Sequence, residues 1–202
     1  MKLHSRLRPL VLAAACVLSF LPGMLQAQSK YYMYSKSHKS VIAGATQHER
    51  YKTLAAAEIL SFSWSASNII NIGSVTGGSG AGKATFDGVR INFIGEPEMM
   101  PGLFTALVTG QHLGDLVIEE FSTEGPVDGK TVLPYLKLDM RLVMLENLEM
   151  VGTQGDRAVY SASLKFGAIE ITTAKVNPST GAMTTGAVTR WSIVKNTATL
   201  DL

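Results

Sequence analysis

Apolar and polar residues alternate one for one in several separate runs of this chain, and one short stretch exchanges that period for a helical one. In Glu58-Ile-Leu-Ser-Phe-Ser-Trp-Ser65, Leu60, Phe62 and Trp64 fall on one side and Ser61, Ser63 and Ser65 on the other. That is the period of a half-buried strand. Val89, Ile91 and Phe93 share a face in a second strand, and the phase slip at Asp87-Gly88 marks a β-bulge. Tyr31-Tyr-Met-Tyr34 and residues 116–121, 135–150, 160–171 and 188–194 read as further strands. A kink at Val143-Met-Leu145 carries one of them from one sheet to another, and the phase flips at Gly167. Turn-forming residues at 125–129, 152–155 and 177–181 separate the runs. Residues 35–54 are polar and read as a loop with a short strand at Val41-Ile42. The helical stretch places Leu103, Ala106 and Leu107 on one stripe, with Pro101 at the first helical position and Gly110 at the left-handed stop. Many amphipathic strands with one helix cover their apolar faces by closing up or by stacking two-deep. The expected fold is mainly β: a compact antiparallel β-barrel or sandwich with one short α-helix.

Residues 1–27 stand apart from that pattern. Lys2, His4, Arg6 and Arg8 precede an apolar run from Leu10 to Leu21, broken by Pro22-Gly23. This is the layout of a secretory signal peptide, with cleavage expected between Ala27 and Gln28. The remaining residues, 28–202, form one expected domain, exported to the periplasm or the exterior. Loss of Lys2, Arg6 and Arg8 takes the formal net charge from +2 to −1, which leaves no broad nucleic-acid footprint. The single cysteine, Cys16, belongs to the leader, so neither disulfides nor thiolate metal sites are expected in the mature chain. No second apolar stretch is long enough for a membrane-spanning helix.

Chemistry-bearing motifs fail on inspection. Gly77-Gly-Ser-Gly-Ala-Gly-Lys83 has the spacing of a phosphate-binding loop, but Ala84 stands where that loop needs a magnesium-holding hydroxyl. A strand follows where a helix N-terminus should face the anion. Gly77-Gly-Ser79 begins a nucleophile elbow that Ala81 does not complete. His38 and His48 lack the spacing of a metal site. Glu96 and Glu98 read as acidic residues near a helix N-terminus. No enzyme, metal or cofactor is expected. The glycine-rich segment instead carries Ile69, Ile70, Ile72 and Val75, which ask for a partner surface.

The ordered series Ile59-Leu-Ser-Phe-Ser-Trp64, the glycine-rich run at 77–83, the helix ending Leu107-Val-Thr-Gly-Gln-His112, and Tyr135-Leu-Lys-Leu138 resembles the haemolysin-coregulated protein (Hcp) family. This is the tube protein of type VI secretion. Ile42-Ala-Gly-Ala-Thr46, Phe166-Gly-Ala-Ile-Glu-Ile171 and Trp191 extend the likeness over residues 30–197. The resemblance implies a barrel flanked by one helix, six copies closing into a ring, and rings stacking into a hollow tube that carries or accompanies effectors. Spike and sheath components are implied partners. It also implies that Ile69, Ile70, Ile72, Val75, Gly77, Gly78, Gly80, Gly82 and Lys83 reach the adjoining subunit or ring. Two features depart from the family: the leader, and Arg190 rather than glycine before Trp191. The expected function is a tube protein or an exported relative of it. An exported barrel binding a glycan or small ligand is the second reading.

Overall fold

The computed structural model describes residues 29–68, 84–94, 96, 98–122 and 133–202. The cleavage site at Ala27-Gln28, the turn at 125–129 and the interface residues from Ile69 to Lys83 lie outside the described residues. Among the described residues, eight strands form one antiparallel sheet: β1 (Ser29–Ser35), β2 (Ala57–Ser67), β3 (Thr85–Ile94), β4 (Gly114–Ser122), β5 (Leu136–Val151), β6 (Val159–Lys165), β7 (Ala168–Val176) and β8 (Met183–Ser192). An α-helix, α1 (Met99–Thr109), joins β3 to β4. Strand order is β4-β1-β2-β3-β6-β5-β7-β8, and β4 also pairs with β5. That extra pairing closes the first six strands into a barrel and leaves β7 and β8 as a two-stranded extension.

β5 makes the closure work because it pairs with different strands along its length. Its first half lies between β4 and β7, and its second half runs beside β6. β6 and β7 are nearly one strand, interrupted only at Phe166 and Gly167, so the two together line the whole of β5. Leu142, at φ 49°, and a register shift between Leu145 and Asn147 bracket the expected kink at 143–145. The bulge expected at Asp87-Gly88 is present: the register shifts opposite Ser65 and Ala66, and Gly88 sits at φ 90°. An added Cβ there would also meet the Leu164 carbonyl oxygen at 2.3 Å. Only glycine suits this bend.

The alternating residues fill the interior. Met33, Ile91, Phe93, Leu116, Ile118, Leu138, Met140 and Leu164 are buried in one cluster, which α1 joins through Met99, Leu103 and Ala106. Each such aliphatic or aromatic side chain contributes about 1.5–3 kcal/mol when fully buried. Gly110 ends α1 in the left-handed conformation, with its N–H donating to the Ala106 and Leu107 carbonyls. The helix begins two residues before Pro101, so the proline is its third residue, not its first.

Four other expectations are corrected. Val41-Ile42 is no strand; Ile42 is instead buried as the anchor of an irregular segment. That segment is held because the Gly44 N–H donates to the Ala55 carbonyl at 2.9 Å, and the Ala45 N–H to a Glu96 carboxylate oxygen at 2.9 Å. Leu60 does not share the buried face of Phe62 and Trp64: a register shift between Ile59 and Ser61 gives the core to Ile59 and leaves Leu60 55% exposed. Leu142, expected beside Leu138 and Met140, is exposed by its positive φ. β8 begins at Met183, before the expected Val188.

Candidate assembly surface

The barrel divides into two panels of opposite chemistry. In β2, β3, β6 and the second half of β5, side chains at matching register form rows across four strands. Ser63, Arg90, Ser163 and Asn147 make one row, and Ser61, Asn92, Ser161 and Glu149 the next. All face away from the core. Hydroxyls and amides dominate, and neighbours satisfy one another: Asn92 Nδ2 donates to Ser61 Oγ at 3.0 Å, and Asn147 Nδ2 to Glu149 at 2.7 Å. Ser65 donates to Asp87, and Lys165 Nζ donates to the Asp87 carbonyl at 2.8 Å. The alternation of serines in β2 and β6 is the sequence signal for this surface.

The second panel, on β1, β4, β5, β7 and β8, is ionic. Asp139 is buried yet surrounded by cations: Lys36 donates to it, Lys137 lies at 3.6 Å and Arg141 Nε at 3.8 Å. Arg141 also bonds Asp115, and Arg190 bonds Glu170. The Arg190 guanidinium holds the Glu170 carboxyl below its ordinary range. Buried Glu119 accepts from Tyr51 Oη at 2.8 Å and Tyr34 Oη at 3.2 Å, with Arg50 Nε at 3.6 Å. Burial first, and then the Glu119 charge, pushes both phenols up. Paired charges across neighbouring strands stabilise a sheet where opposite signs meet.

The candidate residues do not converge on chemistry. His38 packs edge-on against His112, with ring centroids 5.2 Å apart, whereas His48 lies among Tyr32, Tyr51 and Phe121. Among the described residues no three carboxylates, imidazoles or thiolates gather to hold a metal. Glu96 serves structure: its carboxylate accepts from the Ala45 and Glu58 N–H groups, not from the start of α1. Apolar exposure is the sharper feature. Leu60, Phe104, Val108, Met150, Val151 and Val194 are each more than half exposed. α1 carries no charged residue at all, so Phe104 and Val108 project from an uncharged outer face. Sequence reasoning passed over this face because it followed only the buried stripe of the helix. No helix among the described residues is long and apolar enough to cross a membrane.

Residues 32–173 match the family described as "Type VI secretion system effector, Hcp". No curated protein matches the chain by sequence. A solved type six secretion system protein is similar in fold, with a TM-score of 0.73 at 18% identity, covering 85% of this chain and all of its own. Hcp1 from Salmonella typhimurium is similar at a TM-score of 0.61 and 14% identity, over 86% of this chain and 99% of its own. A type VI secretion system effector from Yersinia pestis follows at 0.55 and 13%, over 81% and 99%.

Proposed function

The chain belongs to the Hcp family of type VI secretion proteins, and from that premise we propose that it works by assembling copies of itself. It is a tube protein of type VI secretion. Six copies close into a ring, and rings stack into a hollow tube that carries or accompanies effector proteins beside spike and sheath components. The observation that carries this reading is the exposed apolar surface on a barrel whose interior is already filled. Phe104, Val108, Met150 and Val151 stay in contact with water although the fold has ample polar surface. Phe104 and Val108 lie one turn apart on α1, Met150 and Val151 are neighbours on β5, and apolar exposure in such pairs supports contact with another protein. Native mass spectrometry of the purified protein tests it: a hexamer is expected, and a monomer at high concentration overturns the reading.

The glycine-rich segment, with Ile69, Ile70, Ile72, Val75 and the glycines up to Lys83, is assigned the contact between rings. Deleting residues 69–80 should leave a folded subunit and abolish stacking in electron micrographs; persistent stacks would refute the assignment. The leader directs export to the periplasm or beyond, with the mature chain starting at Gln28. N-terminal sequencing of exported protein checks that start.

A further inference from the structure

The fold brings His38, in the turn after β1, against His112, in the link from α1 to β4. The two segments are stitched together around these rings. Ser35 Oγ donates to the Leu113 carbonyl at 3.2 Å, the Lys36 N–H to the Asp115 carbonyl at 2.9 Å, and the Asp115 N–H to Ser37 Oγ at 3.4 Å. Gly114, at φ 77°, completes the junction: a Cβ there would stand 2.2 Å from Ser37 Oγ and 2.4 Å from His38 Nδ1. Only a residue without a side chain keeps that corner open.

We propose that His38 and His112 together hold a late first-row divalent cation, such as zinc, nickel or copper, through their Nδ1 atoms, with water completing its coordination. Hydrogen bonding sets which nitrogen carries the lone pair. The Gly114 N–H donates to His112 Nδ1 at 3.2 Å, so that nitrogen is unprotonated and the ring proton sits on Nε2. Ser37 Oγ accepts from Asp115 and has its own proton to give to His38 Nδ1, 3.0 Å away. Both Nδ1 lone pairs therefore turn toward the corner at Gly114. The spacing fits as well. With metal–nitrogen bonds of about 2.0–2.1 Å and tetrahedral angles, two imidazoles on one ion put their ring centres about 5 Å apart. Here the centres are 5.2 Å apart, and planes at 89° keep the rings clear of each other.

Little opposes a cation at this junction. The neighbouring positive side chains are committed elsewhere: Lys36 to Asp139, Lys39 to the Thr53 carbonyl and Arg141 to Asp115. α1 adds no charge of its own. His112 is exposed, which gives an ion a way in. Among the described residues no third imidazole, carboxylate or thiolate joins the pair, so the site is open and its ion exchangeable. Two imidazoles also select against calcium and magnesium, which need oxygen ligands. A bound ion would rivet the exit of β1 to the entry of β4, whether or not copies of the chain assemble.

Calorimetry and thermal unfolding of the tag-free protein test the site, with zinc, nickel and copper salts added singly. One ion per chain and a raised thermal midpoint that a chelator reverses are expected, with no response to magnesium or calcium. His38→Asn and His112→Asn keep a side-chain oxygen near the place of Nδ1, so each variant should retain the circular dichroism spectrum of the parent. Each should bind about tenfold more weakly or worse, the least that losing even a supporting residue costs a metal site. The double variant should lose the response. Binding that either single variant leaves unchanged would put the ion elsewhere and overturn the proposal. A parent that responds to none of the three metals would leave the two rings in aromatic contact only, and would overturn it too. Should a variant not fold, long-range proton–nitrogen NMR of the parent decides: zinc should move the Nδ1 resonance of both rings, and a shift in one ring or neither refutes the shared site.

Discussion

Replacing Glu119 by glutamine tests the polar seam between β1, β4 and the segment that carries Tyr51. The carboxylate is 3% exposed and accepts from two phenols, at 2.8 and 3.2 Å. An amide keeps one acceptor oxygen and turns a donor toward the second hydroxyl, which must then lose its partner or rotate. Hydrogen bonds to a charged group contribute about 1.5–3 kcal/mol, against about 1 kcal/mol between neutral groups. One bond lost and one weakened amount to about 2–4 kcal/mol. That is a large share of the roughly 5–15 kcal/mol that holds a domain folded. Urea unfolding at neutral pH and fixed protein concentration reads it: with a slope of about 2–3 kcal/mol/M, the midpoint should fall by about 1 M or more. Glu120→Gln, one residue along and half-buried, serves as the control. Tyr51→Phe added to Glu119→Gln should cost less than the two changes summed, because both act on one bond. A midpoint shift below about 0.3 M would refute the claim that this carboxylate holds the two tyrosines.

Three further outcomes follow from the same structure. Tyr34 and Tyr51 are pushed up by burial and by Glu119, so their stabilisation is full below the ordinary tyrosine value of about 10 and is lost as pH rises through the folded value. The urea midpoint should hold from neutral pH up to about pH 10 and fall beyond it, and phenylalanine at both positions should flatten that fall. Glu170 is held low by Arg190, so its contribution is present above the ordinary carboxylate range and lost on acidification through the folded value; Arg190→Gln should remove that part of the acid dependence in the same titration. Gly44→Ala would place a Cβ 2.1 Å from the Ala56 backbone carbonyl, an overlap of main chain that no rotamer relieves. Its expected cost is about 3 kcal/mol or more, read as a lowered thermal midpoint.

Strand identity was legible wherever alternation was uninterrupted. Val89, Ile91 and Phe93, and Ala162 and Leu164, are buried where the period places them. The bulge at Asp87-Gly88 was readable because glycine announces a positive φ. Its counterpart between Ile59 and Ser61 contains no glycine, so nothing local warned that Leu60 would leave the core. Leu142 misled for the same reason, since a leucine at positive φ is a choice made by the surrounding pairings. Val41-Ile42 read as a short strand because both residues are β-branched; the hydrogen bonds of Gly44 and Ala45 just beyond come from Ala55 and Glu96, which adjacency cannot reveal. Barrel closure through β4 and β5, the meeting of His38 with His112, and the pairing of Glu119 with Tyr51 are likewise long-range events. Exposed apolar residues could be listed from the sequence, but which lay uncovered depended on that closure.

The near-continuity of β6 and β7 along the whole of β5 has a consequence for the order in which the chain gains shape. Residues 136–176 make one long hairpin whose partners lie close in sequence about the turn after Val151. β1 and β4, by contrast, must find each other across some eighty intervening residues. Local zippering loses little chain entropy at each step, whereas distant partners must first close a large loop. Pairing should therefore begin within local hairpins such as this one and leave the joining of β1 to β4 until last.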